Sequence, residues 1–245
     1  MEKGENQNTG IMKKIRTFIE IVISMAGFVP HSATIFRIII MEASLGFSFY
    51  LNIYFPLSPA IAIIYFLFAE ILYLGFISTV LPENGLREWF LRKWGDENKA
   101  YRAYETILGF LFFHNGASIG YIASSSPGTL FNIENRGVIF LVLPLLIAFG
   151  FIIKIWAAKV VSVDIYYWKD MFLGRKICDF VVNGPYKYFS NPMYGIGQLP
   201  AYATALWYGS QIGLMAAVVN QLLIFTFYFL AEKKFIKRVY LTEGK

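Results

Sequence analysis

The sequence predicts an all-α protein, a polytopic integral membrane helical bundle that ends in a C-terminal helical hairpin. Three observations predict it. The 245 residues are 57% hydrophobic and 16% charged, with a mean hydropathy of +0.52, whereas a soluble domain carries about 25% charged residues. Apolar segments of spanning length recur between short polar loops. The last of them, residues 188–231, runs for 44 residues without one Asp, Glu, Lys or Arg.

Taken in order, residues 1–14 form a polar N-terminus expected to be disordered. The stretch lacks the basic, apolar and small-residue succession of a cleaved signal peptide. Residues 15–29 follow Lys13, Lys14 and Arg16 and stop at Pro30, a length expected to lie in the membrane interface rather than to cross it. Residues 34–55 are long enough to span, despite Arg37 and Glu42. Pro56, Ser58 and Pro59 then turn the chain into a second span over 57–81, which carries Glu70 alone. Loop 82–105 is charged and holds a short helix with Trp89 and Trp94. Residues 106–123 span again, interrupted by His114-Asn115-Gly116, and residues 138–161 are the cleanest span. Residues 15–161 thus form the membrane helices with loop 82–105, and residues 162–245 form a distinct C-terminal region.

The uncharged run is about twice one crossing of roughly 20 residues, and Gly209-Ser210-Gln211 near its middle reads as a turn. A helical hairpin follows. It returns Glu232, Lys233 and Lys234 to the face that holds Tyr186 and Lys187. Loop 82–105 holds five Lys and Arg residues, residues 124–137 hold only Arg136, and residues 162–190 hold four. Cytoplasmic loops are rich in Lys and Arg, so the elbow around Tyr186 and the C-terminus are expected on the cytoplasmic side. The net charge of +6 has the same source, which argues against a nucleic-acid partner. One cysteine, Cys178, excludes an intrachain disulfide, and His31, His114 and Cys178 are too few for a structural zinc site.

The residues that could carry chemistry cluster at the start of the run. Asn191-Pro192 has the composition of an N-cap followed by a first helical turn. A helix starting there would turn its free N–H groups toward the elbow as an anion site. Tyr186, Tyr188 and Tyr194 surround it. Such rings form an interfacial belt or hold a cation against their faces. Gly195-Ile196-Gly197 follows no strand and suits close helix packing better than a dinucleotide loop. Glu232 would end the second arm, against the helix dipole, either as an interface charge or as a carboxylate that meets a ligand's amine. Arg37, Glu42, Glu70 and His114 fall within spans, where ionisable groups mark sites or interhelical bonds.

The stretch Asn183-Gly184-Pro185-Tyr186-Lys187-Tyr188-Phe189-Ser190-Asn191-Pro192-Met193-Tyr194-Gly195 resembles the signature of membrane phospholipid methyltransferases, within a superfamily that includes isoprenylcysteine carboxyl methyltransferases. Ser190-Asn191-Pro192-Met193-Tyr194 is similar to the phosphatidylethanolamine branch, and the resemblance covers about residues 160–240. It implies a cytoplasmic-side pocket for S-adenosyl-L-methionine, bounded by Tyr186, Asn191, Pro192, Met193 and Tyr194, by Asp179, Phe180 and Val181 after Cys178, and by Glu232. Glu232 matches the first of two glutamates that relatives carry after the hairpin; Lys233 stands at the second. Lys169-Asp170-Met171-Phe172-Leu173-Gly174 also departs from the glycine-rich stretch of some relatives.

The implied activity is S-adenosylmethionine-dependent methyl transfer to a membrane lipid, most simply the head-group amine of phosphatidylethanolamine. Glu232 and Asp170 are the expected catalytic residues, and Asp170, Asp179 and Glu232 are all able to take the proton. The expected partners are the lipid substrate and the bilayer, without a metal. An isoprenylcysteine carboxylate or another hydrophobic acceptor is the alternative enzyme reading, in which Arg175 and Lys176 would face the acid. A transporter or scaffold is the non-enzymatic one.

Overall fold

The computed structural model describes residues 2–25, 58–131 and 137–241, with single positions 40, 43, 44, 47 and 54. The expected span over 34–55, with Arg37 and Glu42, lies outside the described residues, as do His31 and Pro56. Among the described residues there is no strand.

The helices are α1 (Glu2–Met25), α2 (Pro59–Val80), α3 (Arg87–Trp94), α4 (Glu97–Ser124), α5 (Gly137–Val161), α6 (Val163–Tyr166), α7 (Lys169–Leu173), α8 (Leu199–Tyr208), α9 (Gln211–Phe227) and α10 (Lys233–Tyr240). Among the described residues, four helical segments are long and apolar enough to cross a membrane: Pro59–Val80, Glu97–Ser124, Ile139–Val161 and Gln211–Tyr240. The first begins where Ser58 caps Ile61 N–H and Pro59 enters the first turn, as the Ser-Pro pair dictates. Pro144 sits inside α5 without ending it.

Three expected boundaries are corrected. Helix α1 starts at Glu2, so it takes in the polar residues read as disordered; no proline occurs before Pro30 to interrupt it. Helix α4 starts at Glu97 rather than at 106, because Asp96 caps Lys99 N–H at 2.9 Å and its first turns bury Tyr101 and Tyr104 against Phe172. The hairpin turns at Gly209 as expected, at φ +58°, but its first arm is short. Helix α8 has 10 residues, about 15 Å at 1.5 Å per residue, half of a hydrocarbon core about 30 Å thick.

The bundle packs α2 along α4, α5 along α8, and α9 across both α4 and α8. Small residues set the close approaches: a Cβ on Gly213 would stand 2.7 Å from Ala123, and one on Gly150 would stand 2.5 Å from Pro200. Polar side chains tie the spans together, as buried polar groups in a bundle must be. Asn220 Nδ2 donates to Glu70 Oε1 at 2.6 Å and to Asn115 Oδ1 at 2.9 Å, joining α9, α2 and α4. Tyr65 and His114 meet at 2.7 Å. Glu70, His114 and Asn115 are therefore interhelical groups.

The bundle has two distinct ends. At one, Gly128 N–H donates to Tyr208 O and Leu130 N–H to Gly209 O, which seats loop 125–131 on the hairpin turn. At the other lie residues 81–96, residues 162–195 and α10, stitched by polar contacts. Arg175 forks onto Glu97, with Nη1–Oε1 at 2.8 Å, Arg238 pairs with Glu83, and Arg87 Nη1 donates to Met171 O at 3.2 Å. The basic loops and the elbow share this second end, the arrangement that the loop charges predict.

Candidate functional site

A cavity of about 260 Å³ opens at that end, close to the lower bound of small-molecule sites, about 300 Å³. Its walls come from four segments: the α6–α7 junction, residues 178–181, the elbow, and the helix from Tyr228 to Leu241.

The elbow is a run of turns. Gly184 has φ +61° and passes so close to α5 that a Cβ would stand 2.8 Å from Val160 and 3.0 Å from Trp156 Nε1. Pro185 is buried and starts a 3₁₀ turn over Gly184–Lys187. The expected α-helix at Asn191 is not formed. Asn191 Oδ1 does accept Tyr194 N–H at 3.1 Å, but Gly195 N–H returns to Asn191 O and Gly197 N–H to Pro192 O. Gly195 then leaves the helical region at ψ −102°, and the helix waits for Leu199 and Pro200. Asn191 caps one turn, which lacks the aligned N–H groups of an anion-binding helix end. Gly197 packs against Pro192 O and the Lys154 stem, so it serves close packing on α5 rather than within the hairpin.

Glu232 is placed by a π-helical segment, Tyr228–Glu232, that carries α9 into α10. Glu232 thus stands inside a continuous helix rather than at its end, and the opposing end of a dipole that the sequence suggested does not arise. π-turns of this kind recur at functional sites, where the extra residue re-aims a side chain. Here Glu232 Oε2 accepts Tyr194 O–H at 2.7 Å and Trp168 Nε1–H at 3.1 Å. Trp168 holds φ +55°, ψ +41°, a left-handed conformation that costs a side-chain-bearing residue about 1–2 kcal/mol. Its indole is directed at the carboxylate and lies edge-on to Phe227.

Asp170 is buried and tethered on both oxygens, by Met171 N–H at 2.8 Å and Tyr240 O–H at 2.9 Å. Burial pushes its carboxyl up from the ordinary carboxylate range, and these hydrogen bonds oppose the rise. Burial, and then the Glu232 charge, also raise the Tyr186 and Tyr194 hydroxyls. Both therefore remain protonated donors.

Asp170, Asp179, Phe180, Val181, Tyr186, Asn191, Met193, Tyr194 and Glu232 all line this one cavity. Pro192 does not; it is buried beneath the elbow and shapes the turn. Tyr188 is 68% exposed and forms no part of the cavity wall. Asp179 sits at the rim, paired with Lys176 at 3.1 Å. Tyr186 shares the cavity with Glu232, but the Glu232 hydrogen bonds go to Tyr194 and Trp168.

Sequence reasoning missed Trp168, Tyr228 and Gln221. Gln221 Nε2 donates to Tyr194 O at 2.8 Å and Gly195 O at 3.2 Å, pinning the elbow to α9. The Asn220-Gln221 pair, two amides inside an uncharged span, was the signal that could have found it. Nothing in sequence marks a tryptophan with positive φ. Among the described residues no cluster of His, Cys, Asp and Glu could hold a metal ion.

Residues 139–243 match the family model for phospholipid methyltransferase. The chain is 34% identical over 96 residues to the phosphatidylethanolamine N-methyltransferase of Schizosaccharomyces japonicus, covering 39% of this chain and 11% of that protein. It is 31% identical over 96 residues to the protein of that name from Kluyveromyces lactis, covering 39% and 11%. With that of Schizosaccharomyces pombe it shares 32% over 98 residues, covering 40% and 11%. These matches cover about two fifths of the chain and about a tenth of the length of each relative. No solved structure matches the chain. The residues that build the cavity all fall within 139–243, the stretch that matches the phospholipid methyltransferase family model.

Proposed function

We propose that the protein transfers a methyl group from S-adenosylmethionine to the head-group amine of a membrane phospholipid, phosphatidylethanolamine being the acceptor that the relatives' names suggest. The observation that carries this reading is that nine residues marked in the sequence line one cavity, closed by the Tyr194–Glu232 hydrogen bond.

The cavity fits the methyl donor. The donor supplies an electrophilic methyl group on a cationic sulfonium. Tyr166, Trp168, Tyr186, Tyr194 and Tyr228 line the walls, and aromatic faces attract such cations. Phe180 and Val181 add apolar wall for a planar base, and Asn191, Asp170 and Asp179 offer polar contacts.

The chain's own contribution is to position and to move one proton. Attack needs the neutral amine, whose ordinary pKa is close to that of Lys, about 10.4. A site sheltered from water favours the neutral form. Glu232 accepts the released proton: its Oε2 is already fixed by two donors, and Oε1 is left for the substrate. Asp170, spent on Met171 N–H and Tyr240 O–H, instead fixes the C-terminal wall of the cavity. Holding donor and acceptor in line is the larger effect.

A carboxylate acceptor would call for free cations. Arg175 and Lys176 face Glu97 and Asp179 instead, and the cavity lining sets three carboxylates, Asp170, Asp179 and Glu232, against two lysines, Lys233 and Lys237. The amine acceptor is the better complement. The basic loops support a cytoplasmic mouth, where S-adenosylmethionine is met, with the lipid arriving laterally from the bilayer.

The test is transfer of radiolabel from S-adenosylmethionine to an acceptor panel by the purified protein. Label in phosphatidylethanolamine, lost in Glu232→Gln, is expected. Label in an isoprenylcysteine alone would reassign the acceptor, and none in any lipid would remove the reading.

A further inference from the structure

Behind the main cavity lies a second, of about 40 Å³, between the spans. Tyr166, Trp168, Met193 and Tyr194 line both and form the shared wall. A single water needs about 10–15 Å³ measured this way, so the second cavity has room for a small polar group. Its lining is unusual for the inside of a membrane bundle: Lys154, Asn115, Asn220 and Gln198 all border it.

Among the described residues no carboxylate lies within 4.0 Å of Lys154 Nζ; the ammonium sits 5.4 Å from the centroid of Phe112. Asn115 is 5% exposed; its Oδ1 accepts from Asn220, and its amide nitrogen faces the Glu70 carboxylate. The Tyr166 hydroxyl is buried and without a partner. Glu70 joins the cavity through Asn220, whose amide donates to it. A lysine within a span is costly unless it meets a counter-charge, and one aromatic face offsets only part of that cost. The stem lies along Gly197, where an added Cβ would touch Lys154 Cγ and Cδ at 3.5 Å, an ordinary contact, and crowd Pro192 O at 3.1 Å.

We propose that this cavity is an oxyanion subsite of the methyl-transfer site, in which Lys154 and Tyr166 receive an oxyanion of one of the two substrates. The inference rests on the function proposed above and deepens it. The oxyanion is the phosphodiester of the lipid or the carboxylate of S-adenosylmethionine; both lie a few bonds from the reacting atoms of the molecule that carries them. Unpaired donors in a dry cavity bind such groups by charge-assisted hydrogen bonds.

The experiment uses the full chain in phosphatidylethanolamine nanodiscs and two binding readouts, S-adenosylmethionine affinity by calorimetry and retained phosphatidylethanolamine by native mass spectrometry. Lys154→Met is expected to weaken one readout about tenfold, as loss of a charged hydrogen bond would. Loss of lipid retention assigns the phosphodiester, and loss of donor affinity assigns the carboxylate. Lys154→Arg is expected to restore most of whichever is lost. Tyr166→Phe, which deletes one hydroxyl and keeps the ring, is expected to weaken the same readout about threefold, and it serves where Lys154→Met does not fold. Both readouts unchanged in Lys154→Met, or in Tyr166→Phe where it stands in, overturn the subsite. Absence of S-adenosylmethionine binding by the unaltered protein instead sinks the proposed function, and lipid retention still reports on Lys154.

Discussion

The hydroxyl of Tyr194 donates to Glu232 Oε2 at 2.7 Å, a hydrogen bond between residues 38 apart that joins the elbow to the second arm of the hairpin. It forms because Asn191 closes a turn onto Tyr194 N–H while the π-segment Tyr228–Glu232 turns the carboxylate inward. Trp168 supplies the second donor. Removing the two ends of this bond has different consequences. Glu232→Gln keeps the shape and removes the proposed base, so methyl transfer is expected to fall about 10²–10⁴-fold, the usual worth of a general base. Tyr194→Phe leaves Glu232 with Trp168 alone and costs about tenfold, the worth of one hydrogen bond to a charge. Single-turnover rates at saturating donor separate the two.

Trp168 is predicted to matter through its backbone as well as its indole. Trp168→Phe removes the Nε1 donor but keeps the ring against Phe227. Turnover is expected to fall about tenfold for the lost charged hydrogen bond. Trp168→Gly relieves the positive φ yet empties the wall, and the larger loss is expected there. Thermal unfolding in detergent alongside turnover distinguishes loss of fold from loss of the donor.

The bundle rests on Asn220. Asn220→Leu leaves Glu70 Oε1 and Asn115 Oδ1 without their donor in a dry interior. The cost is about 1–3 kcal/mol, read as a lowered unfolding midpoint. Glu70→Gln retains an acceptor for Asn220 and is expected to cost less, since the amide avoids burying a charge.

Asp170 gives a stability signature in pH. Burial raises its folded pKa above the unfolded value of about 3.9. Between those values the folded state holds more protons than the unfolded one, so stability falls as pH rises through the window. Asp170→Asn removes the titration. The unaltered protein is expected to lose stability relative to Asp170→Asn as pH climbs above about 4, measured by unfolding midpoints across a pH series.

Cys178 reports on the mouth of the cavity. It is exposed, it lines the cavity, and it is the only cysteine in the sequence. Burial of the sulfur raises the thiol somewhat above its ordinary range, so labelling by a maleimide is expected to be slow near neutral pH and to quicken with alkali. S-adenosylhomocysteine is expected to protect it. An impermeant reagent that reaches Cys178 only in inside-out vesicles supports the cytoplasmic mouth; labelling only from the opposite side contradicts it.

Much of this architecture was legible because spans obey length and charge. The turn at Gly209, the short helix at Trp89 and Trp94, and the shared end of the basic loops all follow from composition. The 44-residue count did not reveal that its first arm is mostly turn, since absence of charge measures apolar length and not helicity. Pro192, Gly195, Gly197 and Pro200 break that arm, and Asn191 caps a turn that Gly195 ends. Glu232 was read as a helix end because charges follow it. The helix continues because α10 buries Phe235 while Lys233, Lys234, Lys237 and Arg238 remain exposed. The Trp168 contact required a backbone conformation that no residue pattern announces.

The central claim is that the elbow and Glu232 enclose one S-adenosylmethionine site. Calorimetric titration of S-adenosylmethionine into the purified protein, beside Tyr194→Ala and Phe180→Ala, tests it most directly. Saturable binding to the unaltered protein, weakened about tenfold or more in each variant, is expected. Absence of binding, or binding that neither substitution on the opposing walls disturbs, would contradict it.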